Sequence, residues 1–137
     1  MTLISVFIGG GLGSLARYGL SRLCATQTFT SLSMGTFLAN LAGSALIGFF
    51  FVLFQAVALP ASLRFFVTVG FLGGFTTFST FMLETWLLVG RKDYSSAALN
   101  FALHNVLGFA AVAAGIFAMN LLRGVPSASA FRPYWPS

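Results

Sequence analysis

Long stretches without a single charged side chain constrain this fold more than any other feature of the sequence. They cover residues 1–16, 23–63, 65–83 and 94–122. A helix needs roughly 20 predominantly apolar residues to cross the hydrocarbon core of a bilayer. Only 7% of the chain is charged, whereas a soluble domain carries about 25% charged residues. Because too few polar side chains are present to cover a water-exposed surface, the sequence predicts an integral membrane protein.

The charged residues and one polar interruption divide the chain into four predicted transmembrane helices. The uncharged run 23–63 is too long for one helix and contains a polar segment at 26–33, so we place a helix after it. The predicted spans of this all-α domain, which covers residues 1–137, are about 2–24, 33–57, 62–89 and 96–122. The Ser- and Pro-rich tail 124–137 is predicted to be flexible. The first span lacks the basic start and cleavage site of a signal peptide, so we interpret it as a retained helix.

The basic residues are divided almost evenly between the two sides of the membrane. With four spans, one side carries Arg64, Arg123 and Arg132. The other side carries Arg22, Arg91 and Lys92, with Arg17 deeper in the first helix. Orientation is normally set by an excess of Lys and Arg on the cytoplasmic side. The balance leaves two alternatives open, a weakly biased single orientation or insertion in both orientations with antiparallel pairing. Basic residues at helix ends indicate membrane-interface anchoring, and no nucleic-acid partner is predicted.

Pairs of small residues spaced four apart occur on all four predicted helices. The pairs are Gly9 and Gly13, Ser44 and Gly48, Gly70 and Gly74, and Ala111 and Gly115. Small residues at this spacing allow helix backbones to approach closely in lipid. We therefore predict that most of these pairs serve helix packing.

The centre of the third predicted span suits a regular helix poorly. It reads Gly73-Gly74-Phe75-Thr76-Thr77-Phe78-Ser79-Thr80-Phe81. Glycine and threonine are weak helix formers. A break frees backbone groups to bind an ion, and it is tolerated only inside protein or beside a water-filled cavity. We predict that the third helix is broken at its centre, and that Phe75, Phe78 and Phe81 lie on one side of its second half.

Isolated polar side chains within the other spans allow two interpretations each. Asn40 could form an interhelical hydrogen bond or line a polar path, and Arg17 could extend to the interface or serve a site. Asn100 and His104 lie one turn apart on one helix face. A single His is more often a hydrogen-bonded packing group than a ligand.

The sequence contains few side chains that could catalyse a reaction or bind a transition metal. The chain has one His and one Cys, Cys24, so neither a transition-metal site nor an intrachain disulfide is predicted. Its only carboxylates are Glu84 and Asp93. We find no set of nucleophile, base and acid, and we predict that the protein is not an enzyme.

Three motifs together resemble the Fluc (CrcB) family of fluoride channels. The first-helix motif is Gly10-Gly11-Leu12-Gly13-Ser14-Leu15-Ala16-Arg17-Tyr18. The second is Gly35-Thr36 followed by Asn40, Gly43 and Gly48, and the third is the segment 73–81. The order of the motifs, the chain length and the balanced charge are also similar to those of the family, over about residues 5–120.

The resemblance implies an antiparallel, dual-topology homodimer in the bacterial inner membrane. Each dimer would contain two fluoride pores, which release fluoride passively and lower its cytoplasmic concentration. It would also contain a structural sodium ion at its centre, held by the backbone carbonyls of Gly73 and Thr76 from both copies.

The resemblance also assigns pore residues. It implies that Phe78 and Phe81 are pore phenylalanines, that Asn40 is the pore amide, and that Ser79 and Thr80 supply hydroxyl groups. Arg17 would lie near a pore vestibule. On the fourth helix the family often has a small hydroxyl residue where this chain has His104, which is a bulkier candidate for the pore lining.

The chemistry of fluoride agrees with these residue types, and two other functions compete. A pore must replace tightly held water with hydrogen-bond donors such as amides and hydroxyls, and a phenylalanine edge is weakly positive.

The alternative is a small multidrug-type proton-coupled transporter, which needs a membrane-embedded carboxylate. The first two spans have none, and Glu84 lies toward the end of the third. A subunit that only assembles with other proteins would leave the segment 73–81 unexplained.

Overall fold

The computed structural model describes residues 2–25 and 33–124, and these residues form helices joined by turns, without a strand. The helices are α1 Thr2–Cys24, α2 Met34–Ala56, α3 Ala61–Phe65, a π-helix Phe66–Leu72, α4 Gly73–Phe75, α5 Phe78–Gly90 and α6 Tyr94–Arg123. Most of the predicted polar segment 26–33, the tail beyond Gly124 and Arg132 lie outside the described residues.

Four helical segments are long and apolar enough to cross a membrane. They are α1, α2, the combined third span Ala61–Gly90 and α6. Large apolar side chains point away from the protein, with Phe7 82% and Phe109 81% exposed. Such surface is unfavourable in water by about 25 cal/mol per Å² and is stable against lipid. The prediction of an all-α membrane protein with four spans is confirmed, and the chain is a multi-pass membrane protein.

Glycines set the distance between α1 and the third span. A Cβ atom at Gly13 would collide with the backbone carbonyl oxygen of Phe71, and one at Gly74 would lie 2.5 Å from the carbonyl oxygen of Gly10. The α2–α6 pair is built in the same way, because Gly48 lies against the backbone of Val112 and Gly115 against that of Ala45. The close approach of these backbones requires residues without a side chain.

Replacing Gly13 with alanine should destabilise the protein by about 1–3 kcal/mol, the usual cost of adding atoms to a well-packed interface. The added methyl group must push α1 away from the third span. The measurement is the fraction of folded protein that remains after heating in detergent, followed by size-exclusion chromatography.

Gly11 provides the matched control in the same helix, since a Cβ atom at Gly11 would meet nothing within 4 Å. Gly11→Ala should be neutral or slightly stabilising, because alanine is a better helix former than glycine. Equal heat resistance of the two variants would show that α1 does not pack this closely.

The third span departs from regular α-helix at two places. Residues Phe66–Leu72 form a π-helix, which the sequence analysis did not predict. The chain is then extended at Thr76 (φ −86°, ψ 160°) and Thr77 (φ −152°, ψ 113°) before α5 begins. These two residues are called the interruption below. Two threonine hydroxyls donate hydrogen bonds to carbonyl oxygens four residues earlier. Thr68 Oγ1 donates to Arg64 O and Thr76 Oγ1 to Leu72 O, both at 2.9 Å. Such irregular helix turns are frequent at functional sites.

A tight turn places α6 beside α5. Lys92 adopts a positive φ of 61°, and the side chain of Asp93 accepts a hydrogen bond from the backbone N–H of Ser96 at 3.1 Å, which caps α6. Asn100 is buried on α6 and donates to Thr85 Oγ1 of α5 at 2.9 Å. This contact aligns the polar face of α6 with the second half of the third span.

Candidate functional site

Asn40 of α2 holds the extended segment of the third span. Its Oδ1 accepts from the backbone N–H of Thr77 at 2.7 Å, and its Nδ2 donates to the carbonyl oxygen of Thr77 at 3.0 Å. The carboxamide thus gives the backbone N–H of Thr77 a partner in place of the helical bond that it has lost, which an apolar environment requires. Of the two interpretations that the sequence left open, the interhelical hydrogen bond is present. Because an amide nitrogen carries two protons, one N–H of Asn40 remains beyond the bond to Thr77.

Arg17 reaches the same segment from α1. Its Nε donates to the carbonyl oxygen of Gly74 at 3.2 Å. The guanidinium is half-buried and permanently charged. Arg17 therefore places a fixed positive charge beside Gly74, two residues before the interruption, and this charge attracts anions.

The hydroxyl groups after the interruption form one cluster centred on Thr77. Its Oγ1 donates to Thr80 Oγ1 at 3.0 Å, lies 3.4 Å from Ser79 Oγ and accepts from the backbone N–H of Thr80 at 3.3 Å. Thr77 is thus the N-cap of α5. The structure brings Ser79 and Thr80 together through Thr77, which the sequence analysis did not single out. The ability of threonine to cap a helix could have identified it.

Phe78 and Phe81 form an edge-to-face pair with centroids 5.6 Å apart. They differ in environment, because Phe78 is 71% exposed and Phe81 only 3%. Phe75 lies before the interruption and stacks on Phe71. The expectation that it shares the second half-helix is therefore wrong, since the extended residues separate it from α5.

His104 packs against this aromatic pair from α6. Its ring stacks on Phe81 with centroids 4.3 Å apart and meets Phe37 edge-on at 5.3 Å. Its Nδ1 lies 3.0 Å from the carbonyl oxygen of Asn100, as expected for residues one turn apart on a helix.

A cavity of about 400 Å³ opens at the interruption and contacts most of the predicted site residues. These are Asn40, Gly73, Thr76, Phe78, Phe81 and His104. Arg17, Ser79 and Thr80 do not line it.

Further polar residues of the cavity wall were missed by sequence analysis. They are Ser44, Thr68, Thr77 and Asn105. Helical spacing was the available signal, because Ser44 follows Asn40 by one turn and Thr68 precedes Thr76 by two. The cavity therefore combines amide and hydroxyl groups with aromatic rings.

Among the described residues, carboxylates contribute little to this site. Glu84 Oε1 accepts a hydrogen bond from the buried Thr36 at 2.7 Å, and Asp93 caps α6 in the turn. No group of three or more His, Cys, Asp and Glu that could hold a metal ion occurs in the described part of the chain. A cation at the interruption would have to be held by backbone and hydroxyl oxygens.

Comparison with known proteins identifies relatives of this chain. The family model described as CrcB-like protein, Camphor Resistance (CrcB), matches residues 4–116. The chain is 40% identical over 114 residues to the fluoride-specific ion channel FluC of Desulforapulum autotrophicum, covering 82% of this chain and 91% of the relative. It is 45% identical over 112 residues to the FluC protein of Methylobacterium nodulans, covering 81% of this chain and 84% of the relative.

A third relative is matched over its whole length. The chain is 39% identical over 123 residues to the FluC protein of a Hydrogenobaculum species, which covers 89% of this chain and 100% of the relative. The family model and the relatives agree, and the residues 4–116 matched by the family model include all three motifs on which the resemblance was based. The chain therefore belongs to the CrcB family.

Proposed function

We propose that this protein is a fluoride-selective ion channel that releases fluoride passively from the cytoplasm and so lowers its concentration there. The observation that carries the proposal is the cavity at the interrupted third span, lined by an amide, hydroxyls and an edge-to-face phenylalanine pair. The relatives are named as fluoride-specific ion channels. They are channels rather than enzymes, which confirms the prediction that the chain is not an enzyme.

The residues of the cavity suit a small anion that holds its water tightly. The remaining N–H of Asn40 can replace a water donor in the cavity, and the hydroxyls of Ser79 and Thr80 can do so outside it. The rings of Phe78 and Phe81 can present their weakly positive edges. Arg17 adds a positive charge beside Gly74, while the carboxylate of Glu84 accepts a hydrogen bond from Thr36. We assign Asn40, Phe78 and Phe81 to the fluoride path, with Ser79 and Thr80 as its outer hydroxyls and Arg17 at a vestibule.

The exposed surface of a single chain supports a homodimer. Gly73, Phe78 and Ser79 are exposed next to the extended backbone of the third span. An interrupted backbone is not stable against lipid, so another protein surface must cover it. Because the basic residues are evenly divided, we propose that a second copy in the opposite orientation covers this surface. The interrupted third spans of the two copies would then meet at the dimer centre. The proposed location is the bacterial inner membrane.

Adding three lysines to one side of the chain should force a single orientation and abolish most fluoride efflux. Efflux should return when this variant is expressed together with one that carries the lysines on the other side. The measurement is fluoride efflux from proteoliposomes, beside a protease-accessibility test of orientation. Full efflux from one singly oriented population would exclude an antiparallel dimer.

The backbone around Gly73 and Thr76 fits a structural sodium ion at the dimer centre. The extended ψ of Thr76 turns its carbonyl away from the helical ladder, and a Cβ at Gly73 would meet only Thr68 O, at 3.9 Å, so its surroundings are open. Two carbonyls from each copy would supply four hard oxygen ligands, as a hard cation prefers. The ion would neutralise the converging carbonyl dipoles and leave a positive charge near the pores.

Complete replacement of sodium by N-methylglucamine during purification should lower dimer stability and fluoride efflux together. Readdition of sodium should restore both, whereas readdition of chloride with N-methylglucamine should not. Thermal stability and efflux that are independent of sodium would exclude this ion.

The central experiment is fluoride efflux from proteoliposomes without a proton gradient, with a potassium ionophore to balance charge. A channel releases fluoride under these conditions and excludes chloride. The multidrug-type transporter is not favoured, since Glu84 is bonded to Thr36 near the end of its span. That function would instead require a proton gradient and would lose activity in Glu84→Gln. Efflux no faster than from protein-free liposomes would refute the channel proposal.

A further inference from the structure

The hydroxyl group of Ser44 is used differently from those of three threonines in the third span. Thr68, Thr76 and Thr85 each donate to the carbonyl oxygen four residues earlier at 2.9 Å, a common way for a hydroxyl in a helix to find a partner. Among the described residues, Ser44 has no such partner. Ser44 is half-buried and lines the cavity, so its proton is available to a ligand there.

The Oγ atom of Ser44 is directed at α6. A Cβ atom built on Gly108 would lie 3.7 Å from it, in ordinary van der Waals contact. Gly108 lies three residues after Asn105, on the same side of α6, and Asn105 also lines the cavity. On α2, Ser44 follows Asn40 by one helical turn. The packing of α2 against α6 therefore brings Asn40, Ser44 and Asn105 to one wall of the cavity.

Asn105 lies well inside the span of α6, yet its side chain is exposed in the single chain. Its Nδ2 donates to the carbonyl oxygen of Phe101 at 2.7 Å, and an amide nitrogen has a second proton to donate. An exposed amide at this depth is unfavourable against lipid and stable against water, an ion or protein. Because Asn105 also lines the cavity, we place it at the rim, with one N–H left for a ligand.

The two sides of the cavity offer different hydrogen-bonding groups. Ser44, Asn105 and the remaining N–H of Asn40 donate from α2 and α6. On the third span, Thr68 and Thr76 donate their hydroxyl protons to backbone carbonyls, so they can only accept from a ligand. The described residues that line the cavity include no Asp, Glu, Lys or Arg. A small anion therefore finds its donors on the α2–α6 side, and neutral donors hold it weakly enough for release.

We propose that Ser44 and Asn105 form an additional fluoride site at the rim of the cavity, one helical turn along α2 from Asn40. The ion accepts one hydrogen bond from the Ser44 hydroxyl and one from Asn105 Nδ2, and it keeps part of its water. It then moves to Asn40 and the Phe78–Phe81 pair, so its water is replaced in two steps. The inference rests on the proposed function and adds a capture site, which sets the fluoride concentration that half-saturates the channel.

The first test measures fluoride current across planar bilayers as the fluoride concentration is raised. In Ser44→Ala and in Asn105→Leu, the concentration that gives half the maximal current should rise about tenfold, because a hydrogen bond to a charged group is commonly worth that factor. The maximal current should change little, since Asn40 and the phenylalanine pair are intact. Ser14→Ala is the matched control. Ser14 is exposed on α1 and lies outside this cavity, so this variant should keep the parent's half-saturating concentration.

The second test needs no variant. The asparagines of the chain are Asn40, Asn100, Asn105 and Asn120, so labelling asparagine with nitrogen-15 gives one NMR signal set for each side-chain amide. Fluoride, but not an equal concentration of gluconate, should shift the two amides that line the cavity, those of Asn40 and Asn105. Asn100 donates to Thr85 and Asn120 is buried, so their signals should stay in place.

The outcomes separate the inference from the proposed function. An unchanged half-saturating concentration in both variants, or a fluoride shift of only one amide, would show that the rim holds water only. It would overturn the inference and leave the channel intact. A lower maximal current without a change in half-saturation would give these residues a structural role and would also overturn it. A parent that passes no fluoride at any concentration would refute the channel itself.

Discussion

Replacing Phe78 with isoleucine should lower fluoride efflux about tenfold while the dimer remains intact. Isoleucine keeps apolar bulk but has no positive ring edge. An aromatic contact worth about 1.5 kcal/mol corresponds to about a tenfold change in rate. Phe78 is 71% exposed in the single chain, so its replacement leaves no void in the core of the chain. The measurement is electrode-recorded efflux from liposomes, beside size-exclusion chromatography of the same preparation.

Phe109→Ile is the matched control, because Phe109 is 81% exposed on α6 and does not line the cavity. It should conduct at the parent rate. Phe81→Ile should also reduce efflux, but Phe81 is buried against His104. A loss there would combine altered packing with altered chemistry. Parent-rate efflux from a dimeric Phe78→Ile variant would place the pore elsewhere.

Replacing Asn40 with aspartate should lower efflux further, by about 100-fold. The carboxylate removes the donor to Thr77 O, leaves no donor for fluoride and repels the ion. Losing a hydrogen bond to a charged group costs up to about 3 kcal/mol, which corresponds to roughly 100-fold in rate. Conduction should suffer more than assembly, because the glycine contacts between α2 and α6 are untouched.

Gln55→Glu controls for the change of an amide to a carboxylate on the same helix. Gln55 is exposed near the end of α2, away from the cavity, so this variant should conduct as the parent does. If Asn40→Asp stayed dimeric and conducted at a similar rate, Asn40 would only hold the backbone and would not bind the ion.

Asn40 connects the fold of this protein to its proposed function. The same carboxamide that satisfies the backbone of Thr77 also faces the cavity. The extended segment is therefore positioned by a residue that is itself part of the proposed path. A change at Asn40 should alter the geometry of the carbonyls proposed to hold sodium, since Thr76 directly precedes Thr77. Sodium dependence and fluoride selectivity are therefore expected to change together in Asn40 variants.

The candidate site was only partly accessible from the sequence. Asn40 and His104 could be named as candidates because an amide and an imidazole stand out in apolar spans, whereas Phe78 was named through the family resemblance. Helix capping could have marked Thr77 as a candidate, but its hydrogen bonds to Asn40, 37 positions away, could not be inferred from the sequence. The burial of Phe81 also depends on α6, whose Phe101 and His104 pack against its ring.

The sequence by itself determined that this chain is helical, spans a membrane four times and packs through small residues. The reason is physical, because charge depletion and helix length are set locally and lipid leaves the backbone no other choice. Only the tertiary structure decided that Phe66–Leu72 forms a π-helix, that the chain is extended at Thr76 and Thr77, and that the ring of His104 stacks on Phe81. These features depend on contacts between helices distant in the sequence, and such contacts decide which conformation a weak helix former adopts.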